Sequence, residues 1–369
     1  MPFDVRDFPA APPEDKAASR RNRQLVAIWL FSVSAMLVVM IALGGATRLS
    51  GSGLSIMEWA PLSGIVPPWS DAEWQRLFAL YKIIPQFSLR NPDMDLAGFR
   101  GIFWLEWVHR FWGRLLGVAF LGPLVWFWAT NRIEHRLRPR LVTIFLLGGL
   151  QGAVGWFMVA SGFFSNATTV SPYRLVIHLA LAIALYGAVF WTGLRTAQPV
   201  GVAHAPRLRL LAIGVTVLVV TTMLAGGFVA GTRAGLDYNT FPLMDGQWLP
   251  AGYARMDPFW RNLTENIATI QFNHRLLASL TLLAALLAAV LGGRLPSAHR
   301  ARLPLRLLGV LAVAQYALGI ATLLLVVPTD LGTMHQGMAV LVFTAALASV
   351  HALRGTPAMA TAHAWATPP

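Results

Sequence analysis

Residues 25–45 read LVAIWLFSVSAMLVVMIALGG and contain no charged side chain. A membrane-spanning helix needs roughly 20 consecutive apolar residues, so this stretch predicts one. It is longer than the apolar core of a signal peptide and lacks a convincing small-residue cleavage site, which favours a retained span. The whole chain is 56% hydrophobic and 12% charged, a composition that excludes an ordinary soluble globular protein.

Further apolar stretches of similar length follow along the chain, at 107–129, 141–160, 174–195, 210–231, 268–292, 304–327 and 331–352. Together they predict an all-α polytopic membrane protein with about eight transmembrane helices. Lysine and arginine concentrate in the N-terminal tail and in the loops after the second, fourth and sixth spans. The positive-inside rule therefore places both termini in the cytoplasm. The positive-inside rule accounts for the net charge of +13, so this charge does not indicate nucleic acid as a partner.

The two halves of the chain resemble each other, and four matching segments occur in the same order. The pairs are GGATRLSGSGL (44–54) with GGFVAGTRAGL (226–236), HRFWGRLLG (109–117) with HRLLASLTL (274–282), LQGAVGWFMV (150–159) with AQYALGIATL (314–323), and IHLALAIALY (177–186) with MHQGMAVLVF (334–343). The pattern predicts two tandem pseudo-symmetric four-helix bundles. Because each half has an even number of spans, the two should be related by an axis along the membrane normal.

The predicted organisation comprises two short tails and the two bundles. The expected boundaries are 1–24 for a cytoplasmic N-terminal tail, 25–200 for the first bundle, 201–353 for the second bundle and 354–369 for a cytoplasmic C-terminal tail. The long outer loop contains an amphipathic stretch at 71–87, which predicts a helix lying on the membrane surface.

Four of the nine histidines fall at the predicted outer ends of the even-numbered spans, two in each half: His109, His178, His274 and His335. Ionisable residues inside spans are functional candidates by default, and two inward imidazoles from one bundle can form an axial pair for a haem iron. A zinc site would require a third or fourth ligand, and the chain has no cysteine. We therefore expect four iron ligands. The other histidines are expected at the surface: His135, His204, His299, His351 and His363.

Four arginines accompany these histidines at repeat-related positions. Arg110 and Arg275 directly follow His109 and His274, while Arg48 and Arg233 follow the first helix of each half. Arginine binds carboxylates through paired hydrogen bonds, so all four are candidates to bind haem propionates. The alternative is that they only extend toward the membrane surface.

Glu106 lies three residues before His109, and its repeat equivalent is Gln271. On a helix, residues three apart share a face. A carboxylate beside one site and an amide beside the other indicate proton chemistry in the first half only. The alternative is that Glu106 simply pairs with Arg110, four residues later.

The chain resembles the haem A synthase family, whose members oxidise haem O to haem A for terminal oxidases. The motifs that carry the resemblance are GGATRLSGSGLS (44–55), EWVHR (106–110), AGTRAGLDYNTFPLM (230–244), NHR (273–275) and MHQGMA (334–339). The longer outer loop without a cysteine pair is similar to the proteobacterial and mitochondrial branch.

The resemblance implies that the first half receives haem O between His109 and His178, beside a catalytic Glu106. It implies that His274 and His335 of the second half ligate haem b. The reaction would oxidise the C8 methyl of the porphyrin to a formyl through a hydroxymethyl intermediate. The implied location is the bacterial inner membrane, with the haem sites toward the periplasmic face. Implied partners are haem O synthase, oxidase assembly factors and an unnamed electron acceptor, and a homo-oligomer is compatible with the family.

Two other classes of function are alternatives at the level of sequence. A dihaem b-type electron-transfer cytochrome would use the same histidines without altering a haem. It usually places its haems at opposite membrane faces, whereas these histidines share the outer level. A transporter or haem chaperone would need broken helices and polar residues at mid-membrane, and the centres of these spans are nearly all apolar.

Overall fold

The computed structural model describes residues 16–163 and 168–356. In that part of the chain the regular structure is α-helical, with β-pairing limited to isolated bridges. The helices are α1 (Lys16–Leu49), α2 (Asp71–Lys82), α3 (Pro85–Arg90), α4 (Leu96–Ala129), α5 (Arg138–Val159), α6 (Pro172–Ala197), α7 (Pro206–Thr232), α8 (Ile267–Arg294), α9 (Arg302–Leu324) and α10 (Thr329–Ala352).

The prediction of eight membrane helices is confirmed, because α1 and α4 through α10 are long and apolar enough to cross a membrane. Two of them, α1 and α4, begin well before the residue at which the sequence pattern predicts the span. Helix α1 starts at Lys16, inside the predicted tail, whose residues 1–15 lie outside the described part. Helix α4 starts at Leu96, where the Asp95 side chain accepts a hydrogen bond from the Gly98 amide and caps the helix.

The helices of each half contact one another in a closed ring. In the first half α1 packs against α4 and α6, and α5 completes the ring; in the second half α7, α8, α9 and α10 contact in sequence and α10 returns to α7. Between the halves, α1 contacts α10 and α6 contacts α7. The domain boundaries themselves stay a prediction.

The long outer loop folds into a small unit on the extended end of α4. The amphipathic stretch 71–87 is helical over α2 and the start of α3, as predicted. Its apolar face buries Trp74 and Phe78 against Phe99 and Phe103 of α4, so the additional turns of α4 serve to hold this unit.

An ion-pair cluster closes the outer face of this unit. Arg76 of α2 donates to both Glu58 and Glu73 at 2.8–3.0 Å. These hydrogen bonds hold the pKa of each carboxyl below its usual value. The cluster therefore attaches loop residue Glu58 to helix α2.

The linker between the halves pairs with the end of α10. Val202 and Ala203 donate backbone hydrogen bonds to the Ala352 carbonyl at 2.9 Å. His351 lies under this linker with Nε2 at 2.9 Å from the Gln198 carbonyl oxygen, and it is buried. The prediction that His351 is a surface residue is therefore wrong, because the linker covers the last turn of its helix.

Candidate functional site

Each of the four candidate histidines packs its imidazole against a glycine of a neighbouring helix. A Cβ added at Gly155 of α5 would lie 2.9 Å from Cε1 of His178 on α6. A Cβ added at Gly44 of α1 would lie 3.2 Å from Nε2 of His109 on α4. The first half therefore receives both rings in recesses that side chains larger than glycine would fill.

The second half repeats this arrangement. A Cβ at Gly226 of α7 would lie 3.0 Å from Cε1 of His274, and one at Gly319 of α9 would lie 2.8 Å from Cε1 of His335. Within each half the two histidines are in electrostatic range of each other. The structure thus brings His109 together with His178 and His274 together with His335. His109 lies more than three turns into its helix instead of in the first turns, because α4 begins at Leu96.

A glutamine one helix earlier steadies the second histidine of each pair. Gln151 donates to the His178 carbonyl at 3.2 Å, and Gln315 donates to the His335 carbonyl at 3.1 Å. Their amide nitrogens also lie 3.3 and 3.4 Å from Nε2 of the same histidines. The two glutamines occupy equivalent positions of the repeat. That equivalence was the feature of the sequence from which their shared role could have been predicted.

The Glu106 carboxylate is buried and accepts five hydrogen bonds. Oε2 accepts from the Ser55 amide at 2.8 Å, the Ser55 hydroxyl at 2.7 Å and the Ile56 amide at 3.0 Å. Oε1 accepts from Nε and Nη2 of Arg110 at 3.0 and 2.6 Å. Both oxygens are therefore occupied, and they connect α4 to the loop that follows α1.

Arg110 holds the same loop through its carbonyl groups. Its guanidinium donates to the Ile56 oxygen at 2.6 Å and to the Glu58 oxygen at 2.7 Å. Arg114, one turn later, donates to the carbonyls of Ala60 and Pro61 at 2.9 Å. A propionate at Arg110 would have to replace one of these acceptors.

Glu106 and Arg110 together form what we call a clamp, a pair of side chains on one helix that holds an outer loop by hydrogen bonds. Gln271 and Arg275 form the equivalent clamp in the second half, but there the loop accepts hydrogen bonds where the first loop donates them. The Gln271 amide donates to the carbonyls of Ala234 and Asp237 and accepts from Arg275 at 2.8 Å. Arg275 also donates to the Tyr238 carbonyl at 2.6 Å. The first loop offers N–H donors and the second offers carbonyl acceptors. A carboxylate suits the first loop and an amide suits the second.

Arg48 and Arg233 are placed differently from Arg110 and Arg275. They lie close enough to repel each other electrostatically, and neither guanidinium group has a hydrogen-bond or ion-pair partner within residues 16–163 and 168–356. Burial, followed by the charge of Arg90, lowers the pKa of Arg233. Partly buried guanidinium groups without an acid partner favour binding of an anion between the outer ends of the halves.

The residues fit a haem in both halves. The Nδ1 atoms of His178, His274 and His335 are buried without a hydrogen-bond partner, and buried polar atoms normally have one. No group of three or more metal-ligating side chains converges within residues 16–163 and 168–356. Paired imidazoles in glycine-lined recesses are therefore the donor set, and this set suits the two axial positions of a haem iron.

Filling a glycine recess should weaken haem binding in that half alone. Gly319→Ala places a methyl group against His335 and displaces the imidazole, so we expect haem to bind the second half about tenfold more weakly. Gly155→Ala is the matched control, because it disturbs only His178. Haem titration followed by absorption spectroscopy measures both variants. Unchanged affinity in Gly319→Ala would contradict the assignment of that recess.

Comparisons with known proteins show which family the chain is similar to. The family model described as Cytochrome oxidase assembly protein (COX15-CtaA) matches residues 27–347. The chain is 56% identical to a protein named Heme A synthase from Granulibacter bethesdensis, over 91% of this chain and 89% of that protein. It is 47% identical to Heme A synthase 2 from Acidiphilium cryptum, over 94% and 96% of the two chains. It is 46% identical to Heme A synthase from a Methylobacterium species, over 95% and 98%.

Proposed function

Because this chain belongs to the haem A synthase family, we propose that its two halves divide one reaction between a substrate site and a cofactor site. The protein is a bacterial multi-pass membrane oxidoreductase that acts on haem O to make haem A. The relatives favour this function over an electron-transfer cytochrome. One observation supports unlike roles for the two halves. Each half has a histidine pair, but the clamp beside the first pair contains a carboxylate, Glu106, and the clamp beside the second contains an amide, Gln271.

In this proposal the first half binds haem O. His109 and His178 hold the substrate between α4 and α6, and their glycine recesses fix the two rings. The substrate's C8 methyl would be oxidised to a formyl through a hydroxymethyl, which requires removal of electrons and protons beside this pair.

Glu106 is proposed to accept protons at this site. It is the one acidic side chain that is fully buried in residues 16–163 and 168–356. To take a proton it must give up one of its five donors. The Ser55 hydroxyl can rotate away, whereas the two backbone amides are fixed and Arg110 is anchored to loop carbonyls. We therefore propose Ser55 as the group that exchanges with the incoming proton.

The second half is proposed to hold haem b between His274 and His335. When bound, this haem supplies a one-electron redox centre. Gln315 fixes the backbone of His335, and the clamp of Gln271 and Arg275 keeps the outer loop over this half. Neither clamp residue there has an acidic proton to exchange at neutral pH, so this half would not take part in proton transfer.

Arg48 and Arg233 are proposed to bind propionates of the two haems, because their guanidinium groups have no protein partner among the described residues. Arg110 and Arg275 are proposed to act mainly through the loops that they hold, and any contact with a propionate would require exchange of a loop carbonyl. The haem sites would then face the periplasm, with both termini in the cytoplasm. Haem O synthase, oxidase assembly factors, an electron acceptor and a second copy of the chain are proposed partners.

Replacing both unpaired arginines tests their role. We expect Arg48→Gln together with Arg233→Gln to weaken haem binding by roughly tenfold, since each lost guanidinium removes a charge-assisted pair. Arg76→Gln is the control, because that arginine is already paired with Glu58 and Glu73. Equal haem affinity in the double variant and the wild type would contradict the propionate role.

The function is tested by expression in cells that make haem O but lack haem A. We expect haem A to accumulate with the wild-type protein and to be absent with His109→Ala. Cells that contain the wild-type protein and haem O but form neither haem A nor a hydroxylated haem O would contradict the proposal.

A further inference from the structure

We infer that an apolar crevice between α4 and α5 holds the isoprenoid tail of haem O and so distinguishes this substrate from haem B. Haem O carries a hydroxyethylfarnesyl chain at a position where haem B carries a vinyl group. The inference rests on the proposed function, in which the first half receives haem O. It adds a binding site for the hydrocarbon part of the substrate.

The crevice lies near the end of α4 that is remote from His109 and has a volume of about 380 Å³. All of its lining side chains are apolar: Leu121, Leu124, Val125, Trp128, Ala129, Val142 and Phe145. Such a site offers no hydrogen bond and favours a hydrocarbon ligand.

The corresponding seam of the second half, between α8 and α9, is closed by close packing. A Cβ added at Gly309 would lie 3.0 Å from the Ala289 side chain, and one added at Gly292 would lie 2.4 Å from Leu305. Small residues at a helix contact allow the backbones to approach each other closely in membranes. The second half therefore has no comparable opening at this seam.

The difference follows from the side chains at repeat-equivalent positions. The repeat register places Phe145 opposite Leu124 where the second half has Gly309 opposite Ala289. The register is supported by Leu141 and Ile144 of α5, which are buried like their equivalents in α9. Large side chains in place of glycine and alanine hold α4 and α5 apart.

A proline adds to the separation. Pro123 lies inside α4, next to the crevice, and its equivalent in α8 is Ala288. Proline removes a backbone hydrogen bond and bends a helix. The crevice is thus built into the first half by several residues and is not a chance gap.

The position of the crevice matches the geometry of the substrate. Leu121 lies 12 residues after His109 on the same helix, about 18 Å along the axis at 1.5 Å per residue. In haem O the isoprenoid chain and the propionates lie at opposite edges of the porphyrin. If Arg48 and Arg233 bind propionates at the outer end, the chain extends inward along α4 toward the crevice.

The substrate and the product of the proposed reaction carry such a tail and haem b does not, and the crevice lies in the proposed substrate half. A bilayer acyl chain is the alternative occupant, because it has the same hydrocarbon chemistry. The two occupants differ in one measurable respect: filling the crevice changes the preference for haem O over haem B only if the tail binds there.

The test uses purified full-length protein that retains the b haem, titrated with haem O or with haem B. Val125→Trp fills the crevice from an exposed position, and Leu121→Trp is a second filling variant. Val290→Trp is the matched control at the repeat-equivalent position in α8. Absorption spectroscopy gives haem affinity, and mass spectrometry of nanodisc-embedded protein detects a retained lipid.

We expect the wild type and Val290→Trp to bind haem O at least about tenfold more tightly than haem B. In Val125→Trp and Leu121→Trp the two affinities should become equal within about twofold, through loss of haem O affinity alone. An unchanged preference in both filling variants would overturn the inference, even if a bound lipid were lost. A wild-type protein whose first half binds haem O and haem B equally would also overturn it. A first half that binds neither haem would overturn the proposed function as well.

Discussion

Replacement of His274 by alanine is expected to remove the b haem from the second half, lowering haem B content by at least about tenfold. The imidazole packs against Gly226 with a buried, unpartnered Nδ1. Alanine leaves a recess without a donor atom. Pyridine haemochrome analysis of the purified protein measures the loss.

Two variants separate this effect from general instability. His109→Ala should retain haem B and lose haem O, because it lies in the other half. His299→Ala, at an exposed position in the loop between α8 and α9, should change neither. Full haem B content in His274→Ala would refute the assignment of the second half.

Replacement of Glu106 by glutamine is expected to leave both haems bound and to reduce conversion of haem O by at least about 100-fold. An amide cannot accept the proton that the proposal assigns to this position. It also turns an NH₂ group toward Ser55, Ile56 or Arg110, all of which are donors to the present carboxylate. Haem A yield in cells that make haem O measures conversion. A normal yield would remove Glu106 from the mechanism.

The loop-holding role and the proton role of Glu106 can be distinguished. Ser55→Ala removes the exchangeable hydroxyl while the two amides and Arg110 still hold the loop, so Glu106 keeps a free position for the proton. We expect conversion to be retained, with unchanged resistance of the loop to proteases. Gln271→Glu is the matched clamp variant in the second half. It places a carboxylate against the carbonyls of Ala234 and Asp237, and it should loosen that loop without affecting haem O binding. Loss of conversion in Ser55→Ala only where the loop also becomes sensitive to proteases, with normal conversion in Glu106→Gln, would leave Glu106 with the loop-holding role alone.

Long apolar stretches and the repeat were sufficient to predict the membrane helices and the histidine pairing. Span length and charge bias depend on local composition, which the sequence displays directly. The correspondence of His109 with His274 and of His178 with His335 predicted two equivalent sites, and the model brings the histidines together in these pairs.

The roles of Arg110 and Arg275 could not be predicted as well from the sequence. Arg110 and Arg275 both donate to backbone carbonyls of the outer loops, and every residue has a carbonyl. The path of a loop decides which carbonyl is near, and composition does not encode that path. The choice of Glu106 or Gln271 had two explanations in the sequence, proton chemistry and pairing with Arg110, and the polarity of the loops became visible only in the structure.

The glycine recesses and the crevice between α4 and α5 could likewise be recognised only in the structure. Gly44 and Gly226 each begin a repeated glycine pair, which was a readable signal for close packing. The contrast between Phe145 and Gly309 becomes meaningful only when α4–α5 and α8–α9 are seen as equivalent contacts. His351 was misplaced because the linker that buries it arrives from more than 140 residues earlier in the chain.

Extraction and chromatography of the haems that copurify with the protein, from cells that also make haem O, test the central claim most directly. The account predicts haem B together with haem O, its hydroxylated form or haem A, in nearly equal amounts. That result would establish two unlike sites in one chain. Haem B alone, near two per chain, would contradict the account and support an electron-transfer cytochrome.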